Sequence, residues 1–125
     1  IKEWETRKIL TFLGHSKDVR KFIIKSDCVI LPSYREGMSR SLLEASSIGR
    51  PIITTNVPGC KDVVDDKITG LLCNSKDVND LIKKIEHFLC MNLNQRIEMG
   101  KNGRKKILDK FNEKIIIDKY LDHII

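Results

Sequence analysis

Aromatics make up only 6 % of this 125-residue sequence, which holds three prolines and a single tryptophan. No apolar run in it approaches the length that a helix needs to cross a bilayer. The opening residues, Ile1-Lys2-Glu3-Trp4, do not show the basic, apolar and small-residue pattern of a secretory signal. Its four cysteines, Cys28, Cys60, Cys73 and Cys90, make no C-x-x-C pair and have no paired histidines near them, which argues against a zinc site. Repeats and low-complexity linkers are missing too. The net charge is +6, but few aromatics stand among the basic residues, so binding of nucleic acid by base stacking is not expected.

What is present fits one domain with one modest core: 41 % apolar and 32 % charged residues, as in soluble globular proteins. The lysines are spread along helical faces with acids between them and read mostly as solvated surface. A polyanion, a phosphate-bearing ligand and an anionic membrane remain open as partners. The cysteines read as reduced and cytosolic. Cys28 and Cys73 lie in apolar runs and are expected to be buried, whereas Cys60, after Pro58-Gly59, is expected to be the most exposed thiol. The absence of an initiator methionine and the immediate entry into patterned sequence point to a piece of a longer chain.

Short apolar runs bounded by turn residues predict strands at Ile9–Leu13, Cys28–Leu31, Ile52–Thr55 and Leu71–Cys73. Helical spacing lies between them, at Asp18–Lys25 and Ser41–Ile48, with a short turn at Lys61–Val64 and a long amphipathic stretch from Asp77 to about Cys90. Strand alternating with helix predicts an α/β fold, a Rossmann-like parallel sheet with flanking helices. The end of the chain reads as helical: a basic helix at Leu93–Phe111, broken near Gly100 and Gly103, then a last helix capped by Asn112. In such sheets ligands bind beyond the carboxyl ends of the strands. The loops Gly14–Lys17, Ser33–Arg40 and Asn56–Cys60 are therefore expected to share one crevice.

The middle loop carries two glutamates, Glu36 and Glu44, with seven residues between them. The helix opening near Arg40–Ser41 presents backbone N–H groups and the positive end of its dipole, and Gly37 permits close approach; together these suit phosphate. Glu44, one turn inside, can accept two hydrogen bonds from a vicinal diol such as a ribose. Glu36 can take the hydroxyls of a second sugar beyond the phosphates. A purely structural reading competes with this one. In it, Ser41-x-x-Glu44 is a capping box, Arg35 and Arg40 are surface arginines paired with Glu36, His15 is a loop histidine and Asp62 a helix-start acid.

The residues Leu31-Pro32-Ser33-Tyr34-Arg35-Glu36-Gly37, Leu42-Leu43-Glu44-Ala45, Gly49-Arg50-Pro51 through Cys60, and Thr69-Gly70-Leu71-Leu72 resemble the carboxy-terminal, donor-binding domain of GT-B retaining glycosyltransferases of group 1, or family 4. The resemblance runs from about Leu10 to the end and treats residues 1–125 as one such domain, truncated on its amino-terminal side. It implies transfer of a sugar from a nucleotide-sugar donor, commonly UDP-activated, to a glycan or lipid-linked acceptor in surface polysaccharide or glycoconjugate synthesis. By that resemblance Glu36 is catalytic, stabilising the donor sugar, and Glu44 binds the ribose. The amides of Gly37, Met38 and Ser39 approach donor-sugar oxygens or the distal phosphate, those of Ser41 and Leu42 face the diphosphate, and Gly14, His15 and Ser16 edge the base. Transfer is front-face with retention, the diphosphate leaving as a stabilised anion. The donor is a substrate, and no cofactor or metal is expected. Further implied partners are an amino-terminal domain and a peripheral contact with the cytoplasmic membrane face. Met38-Ser39 departs from the Phe-Gly common in the family, which bears on the loop's shape. Two other readings share parts of this pattern: a GT-B-like epimerase or phosphorylase, and a non-catalytic module using the basic helices of residues 96–119 to bind membrane or a partner.

Overall fold

A computed structural model describes residues 11, 13–14, 19–33 and 40–110. Their elements in chain order are α1 (Arg20–Lys25), β1 (Val29–Leu31), α2 (Arg40–Ile48), β2 (Ile52–Thr55), α3 (Pro58–Lys61), β3 (Gly70–Cys73), α4 (Val78–Cys90) and α5 (Leu93–Lys110). The three strands pair in parallel in the order β1-β2-β3. Val29 sits opposite Ile52 and Leu31 opposite Thr54, while Ile52–Thr55 faces Gly70–Cys73 residue for residue.

The central strand is buried at all four positions, as expected where helices cover both faces of a parallel sheet. Successive side chains point to opposite faces. Ile52 accordingly joins one apolar cluster, with Leu42 and Ala45 of α2, Cys60, Val63, Val64 and Ile107. Ile53 joins the other, with Leu71, Phe88 of α4 and Met99. The helix α5 reaches both clusters, through Met99 and Ile107. It is pinned to the segment before β3 by the Lys106–Asp65 ion pair at 2.8 Å and by the Asn102 amide donating to the Ile68 carbonyl.

The expected elements at Cys28–Leu31, Ile52–Thr55, Leu71–Cys73, Ser41–Ile48 and Asp77–Cys90 appear with bounds shifted by a residue at most. Asp77 is the N-cap of α4, its carboxylate accepting from the Asp80 amide at 3.0 Å. Four expectations are corrected. The break near Gly100 and Gly103 does not occur: α5 is continuous from Leu93 to Lys110. Those glycines serve close packing instead, since a Cβ on Gly100 would lie 2.0 Å from the Gly49 carbonyl oxygen. The short helix sits at Pro58–Lys61 rather than Lys61–Val64, because Pro58 is set for a first helical position. Asp62 thereby becomes its C-cap, not a helix-start acid. This same turn folds Cys60 inward to full burial, and Cys90 is the exposed thiol. Of the strand expected at Ile9–Leu13 only Thr11 and Leu13 are described, and neither pairs in this sheet. The final helix after Asn112 lies outside the described residues.

Two outcomes test this packing. Gly100→Ala should cost about 2 kcal/mol or more in urea unfolding, because backbone meets backbone there. Gly103→Ala places its Cβ 3.7 Å from Ser46 and Thr69 and should stay within about 1 kcal/mol of the parent. Equal losses at both positions would contradict the assignment.

The thiols offer a second test. At neutral pH an alkylating reagent should modify Cys90 first and reach buried Cys60 and Cys73 only on unfolding. Burial pushes the Cys28 thiol from 9.0 up to about 12, outweighing the opposing pull of a hydrogen bond with the Ile53 backbone. Below 9.0 both folded and unfolded chains keep that proton, so Cys28 adds no pH dependence. Between 9.0 and about 12 only the unfolded chain ionises, so stability falls as pH rises. Cys28→Ala should flatten the alkaline stability curve relative to the parent; identical curves would contradict the burial of this thiol.

Candidate functional site

The carboxyl edge of the sheet is built by hydroxyls. Thr54 donates from Oγ1 to the Leu31 carbonyl at 2.7 Å, and Thr55 donates to the Ser33 carbonyl. Both threonines are buried, so these bonds satisfy groups that would otherwise be costly in the core. The Ser33 amide turns back to the Leu31 carbonyl at 3.1 Å. The chain therefore leaves β1 at a fixed point beside the end of β2. Asn56 leaves β2 with its amide held by the Cys73 carbonyl at 2.8 Å. The loops that follow β1 and β2 thus open side by side, as the topology requires.

On the far side of the first loop, α2 begins at Arg40. Leu42 and Ala45 are fully buried and fix the helix against the sheet, so the Leu42 side chain belongs to the core. The amides of Arg40, Ser41 and Leu42 occupy the first helical turn, where the macrodipole is positive. Glu44 lies one turn further in, with 23 % of its side chain exposed, and its Oε1 is 4.0 Å from Nε of Arg40. Since α2 already includes Arg40, Ser41 is inside the helix and not at its cap. This departs from the capping-box geometry. Within α2 Arg40 is paired with Glu44, and Glu36 lies outside the described residues.

Arg50 closes the other end of this unit. Its guanidinium donates to the Ile23 and Ile24 carbonyls at 3.3 and 2.6 Å, placing a cation at the carboxyl end of α1. Sequence reasoning had assigned no such role to Arg50, Thr54 or Thr55. Two adjacent threonines closing an apolar strand were the available signal, because a buried hydroxyl must find an acceptor.

Of the expected site residues, Glu44, Ser41 and Leu42 come together on α2, at the same edge as the loop after β2. Gly14 has a φ of +72°, a backbone conformation that favours glycine, with open space where a Cβ would stand. His15, Ser16, Glu36, Gly37, Met38 and Ser39 lie outside the described residues. Among the described residues no three His, Cys, Asp or Glu side chains gather as metal ligands, and no helix is long and apolar enough to cross a membrane.

This fold has known counterparts. The model of the family Glycosyl transferases group 1 matches residues 1–106. Among curated proteins, the N,N'-diacetylbacillosaminyl-diphospho-undecaprenol alpha-1,3-N-acetylgalactosaminyltransferase of Campylobacter jejuni is 32 % identical over 110 residues, which are 88 % of this chain and 29 % of that protein. The UDP-Gal:alpha-D-GlcNAc-diphosphoundecaprenol alpha-1,3-galactosyltransferase of Escherichia coli is 33 % identical over 119 residues, 93 % of this chain and 30 % of that protein. Among solved structures, the sucrose-phosphate synthase of Thermosynechococcus elongatus superposes with a TM-score of 0.82 at 28 % identity, covering 98 % of this chain and 31 % of that one. The chain belongs to the group 1 glycosyl transferases, and its fold is that of GT-B enzymes. It spans less than a third of the length of these relatives.

The hydroxyl clamp makes its own prediction. Thr55→Val leaves the Ser33 carbonyl without its donor and should cost about 1–3 kcal/mol in unfolding. It should also shift the amide resonances on both sides of the loop, at Ser33 and Arg40. Shifts confined to β2 would show that Thr55 does not anchor the loop.

Proposed function

We propose that this chain forms the donor-binding part of a retaining glycosyltransferase that moves a sugar from a UDP-sugar to a glycan or lipid-linked acceptor in surface polysaccharide or glycoconjugate synthesis. The placement of Glu44 carries the reading. A half-buried carboxylate stands one turn inside a helix whose amino end faces the carboxyl edge of a parallel sheet. A carboxylate repels phosphate but accepts hydrogen bonds from a diol, whereas the first-turn amides attract phosphate. On this reading Glu44 holds the ribose, and the amides of Ser41 and Leu42 hold the diphosphate. Glu36 stabilises the donor sugar, the amides of Gly37, Met38 and Ser39 approach its oxygens or the distal phosphate, and the Gly14–Ser16 backbone edges the base. The family's relatives support the substrate classes, since the E. coli protein is named for a UDP-Gal donor and both curated relatives for undecaprenol-linked acceptors.

In the transfer, the bond from the anomeric carbon to the β-phosphate oxygen breaks and the bond to the acceptor oxygen forms on the same face. The acceptor's proton leaves with the departing diphosphate. The described residues need supply only binding and charge stabilisation for this step. Alone, the chain binds donor weakly and transfers little, because the acceptor site and further phosphate contacts belong to the rest of such a protein.

Calorimetric titration tests the proposal. Glu44→Ala should weaken UDP binding about 10- to 100-fold, as expected for hydrogen bonds to a charged acceptor. The parent should also prefer UDP over its 2′,3′-dideoxy analogue, and the variant should not. Unchanged affinity in the variant would refute the ribose assignment, and a new sugar nucleotide formed from UDP-sugar without acceptor would favour an epimerase.

A further inference from the structure

The helix α4 carries more apolar surface than the core takes up. Phe88 is buried, and Leu81 and Ile85 are half-buried against the cluster around Ile53 and Leu71. Val78 at 70 %, Ile82 at 47 % and Leu89 at 64 % remain exposed. Val78, Ile82, Ile85 and Leu89 follow one another at spacings of four, three and four, the seam pattern of paired helices. At 3.6 residues per turn they fall within about 60° of each other, on a flank about 90° round from Phe88. Lys83 and Glu86 border this seam on its outer side and are exposed. The helix packs on the Ile53 face of the sheet and α2 on the Ile52 face, so a contact here leaves Glu44 clear.

We infer that this flank of α4 joins two copies of the chain as an antiparallel, two-fold dimer, a role separate from donor binding. A two-fold axis midway between Ile82 and Ile85 sets Val78 against the partner's Leu89 and Ile82 against the partner's Ile85. The same pairs recur on the other side of the axis, as in any isologous contact. It also brings Lys83 beside the partner's Glu86 and Glu86 beside the partner's Lys83, whereas a parallel pairing would level like charges. Within α4, Lys83 and Lys84 balance Asp80 and Glu86, while the whole chain is +6. A neutral helix whose own opposite charges meet across an axis suits a second copy better than a polyanionic surface. The helix contact covers roughly 20 Å by 10 Å, well under the roughly 800 Å² per partner of a standard stable interface. The dimer is therefore weak and reversible, with a Kd on the order of 100 µM.

Sedimentation equilibrium of the full chain, from about 10 µM to about 1 mM, tests this inference and should show monomer and dimer in exchange. Ile82→Gln with Leu89→Gln should raise the Kd about tenfold or more. Lys83→Glu alone and Glu86→Lys alone should each raise it about fivefold, yet the two variants mixed should associate as well as the parent. Mixing restores opposite charges only between chains, so it reads the contact itself. Oxidation should not link Cys90 to Cys90, because the antiparallel seam holds them about 20 Å apart. Glu44→Ala should dimerise like the parent, and circular-dichroism melting checks that each variant folds. A monomer throughout, association indifferent to the α4 substitutions, no rescue on mixing, or a ready Cys90 disulfide would overturn the inference. So would binding of the monomer to phosphatidylcholine vesicles that Ile82→Gln with Leu89→Gln removes, which would assign the flank to lipid.

Discussion

The structure depends on the seating of β2 between its two neighbours. Four consecutive residues, Ile52 to Thr55, are buried; all four pair with β3, and Ile52 to Thr54 pair with β1 as well. Ile52 and Ile53 feed separate apolar clusters, so a slip of one residue would exchange their faces. It would also carry the Thr54 and Thr55 hydroxyls away from the carbonyls of Leu31 and Ser33. Gly70 tightens this arrangement, because any side chain there would meet the Ile52 carbonyl oxygen at 2.2 Å. Register, core and the exit of the first loop are thus one constraint.

The site inherits its geometry from that constraint. The loop after β1 starts where Thr55 holds it and ends where Leu42 and Ala45 bury α2 against the sheet. Glu44 is then set by helical spacing from Arg40. The helix carries opposite kinds of polarity, amides at its start and a carboxylate one turn on, and the proposed donor site rests on that pairing. Far from this edge, Gly100 lets α5 approach Gly49 backbone to backbone, which locks the helix that both clusters share.

Much of this was legible in the residues. An apolar run bounded by turn residues located β2, helical spacing located α2 and α4 nearly to the residue, and alternation of strand with helix dictated the parallel sheet. The glutamate spacing, with glycine between strand and helix, singled out the carboxyl edge. What failed to show were features decided by tertiary contact. Gly100 and Gly103 weaken an isolated helix, so they read as a break, yet the packing on Gly49 and Ser46 requires small residues there. Cys60 follows Pro-Gly and reads as loop, but Pro58 starts a turn of helix that turns the thiol inward. The hydroxyl clamp from Thr55 to Ser33 joins residues 22 apart, which no local pattern encodes.

The central claim is spatial: a sugar nucleotide sits across the start of α2, with its ribose on one side and its phosphates on the other. A crystal structure of the chain soaked with UDP tests it most directly. The account predicts the ribose hydroxyls within hydrogen-bond reach of the Glu44 carboxylate and a phosphate over the amides of Ser41 and Leu42. Nucleotide bound elsewhere, with Glu44 still turned to Arg40, would contradict it.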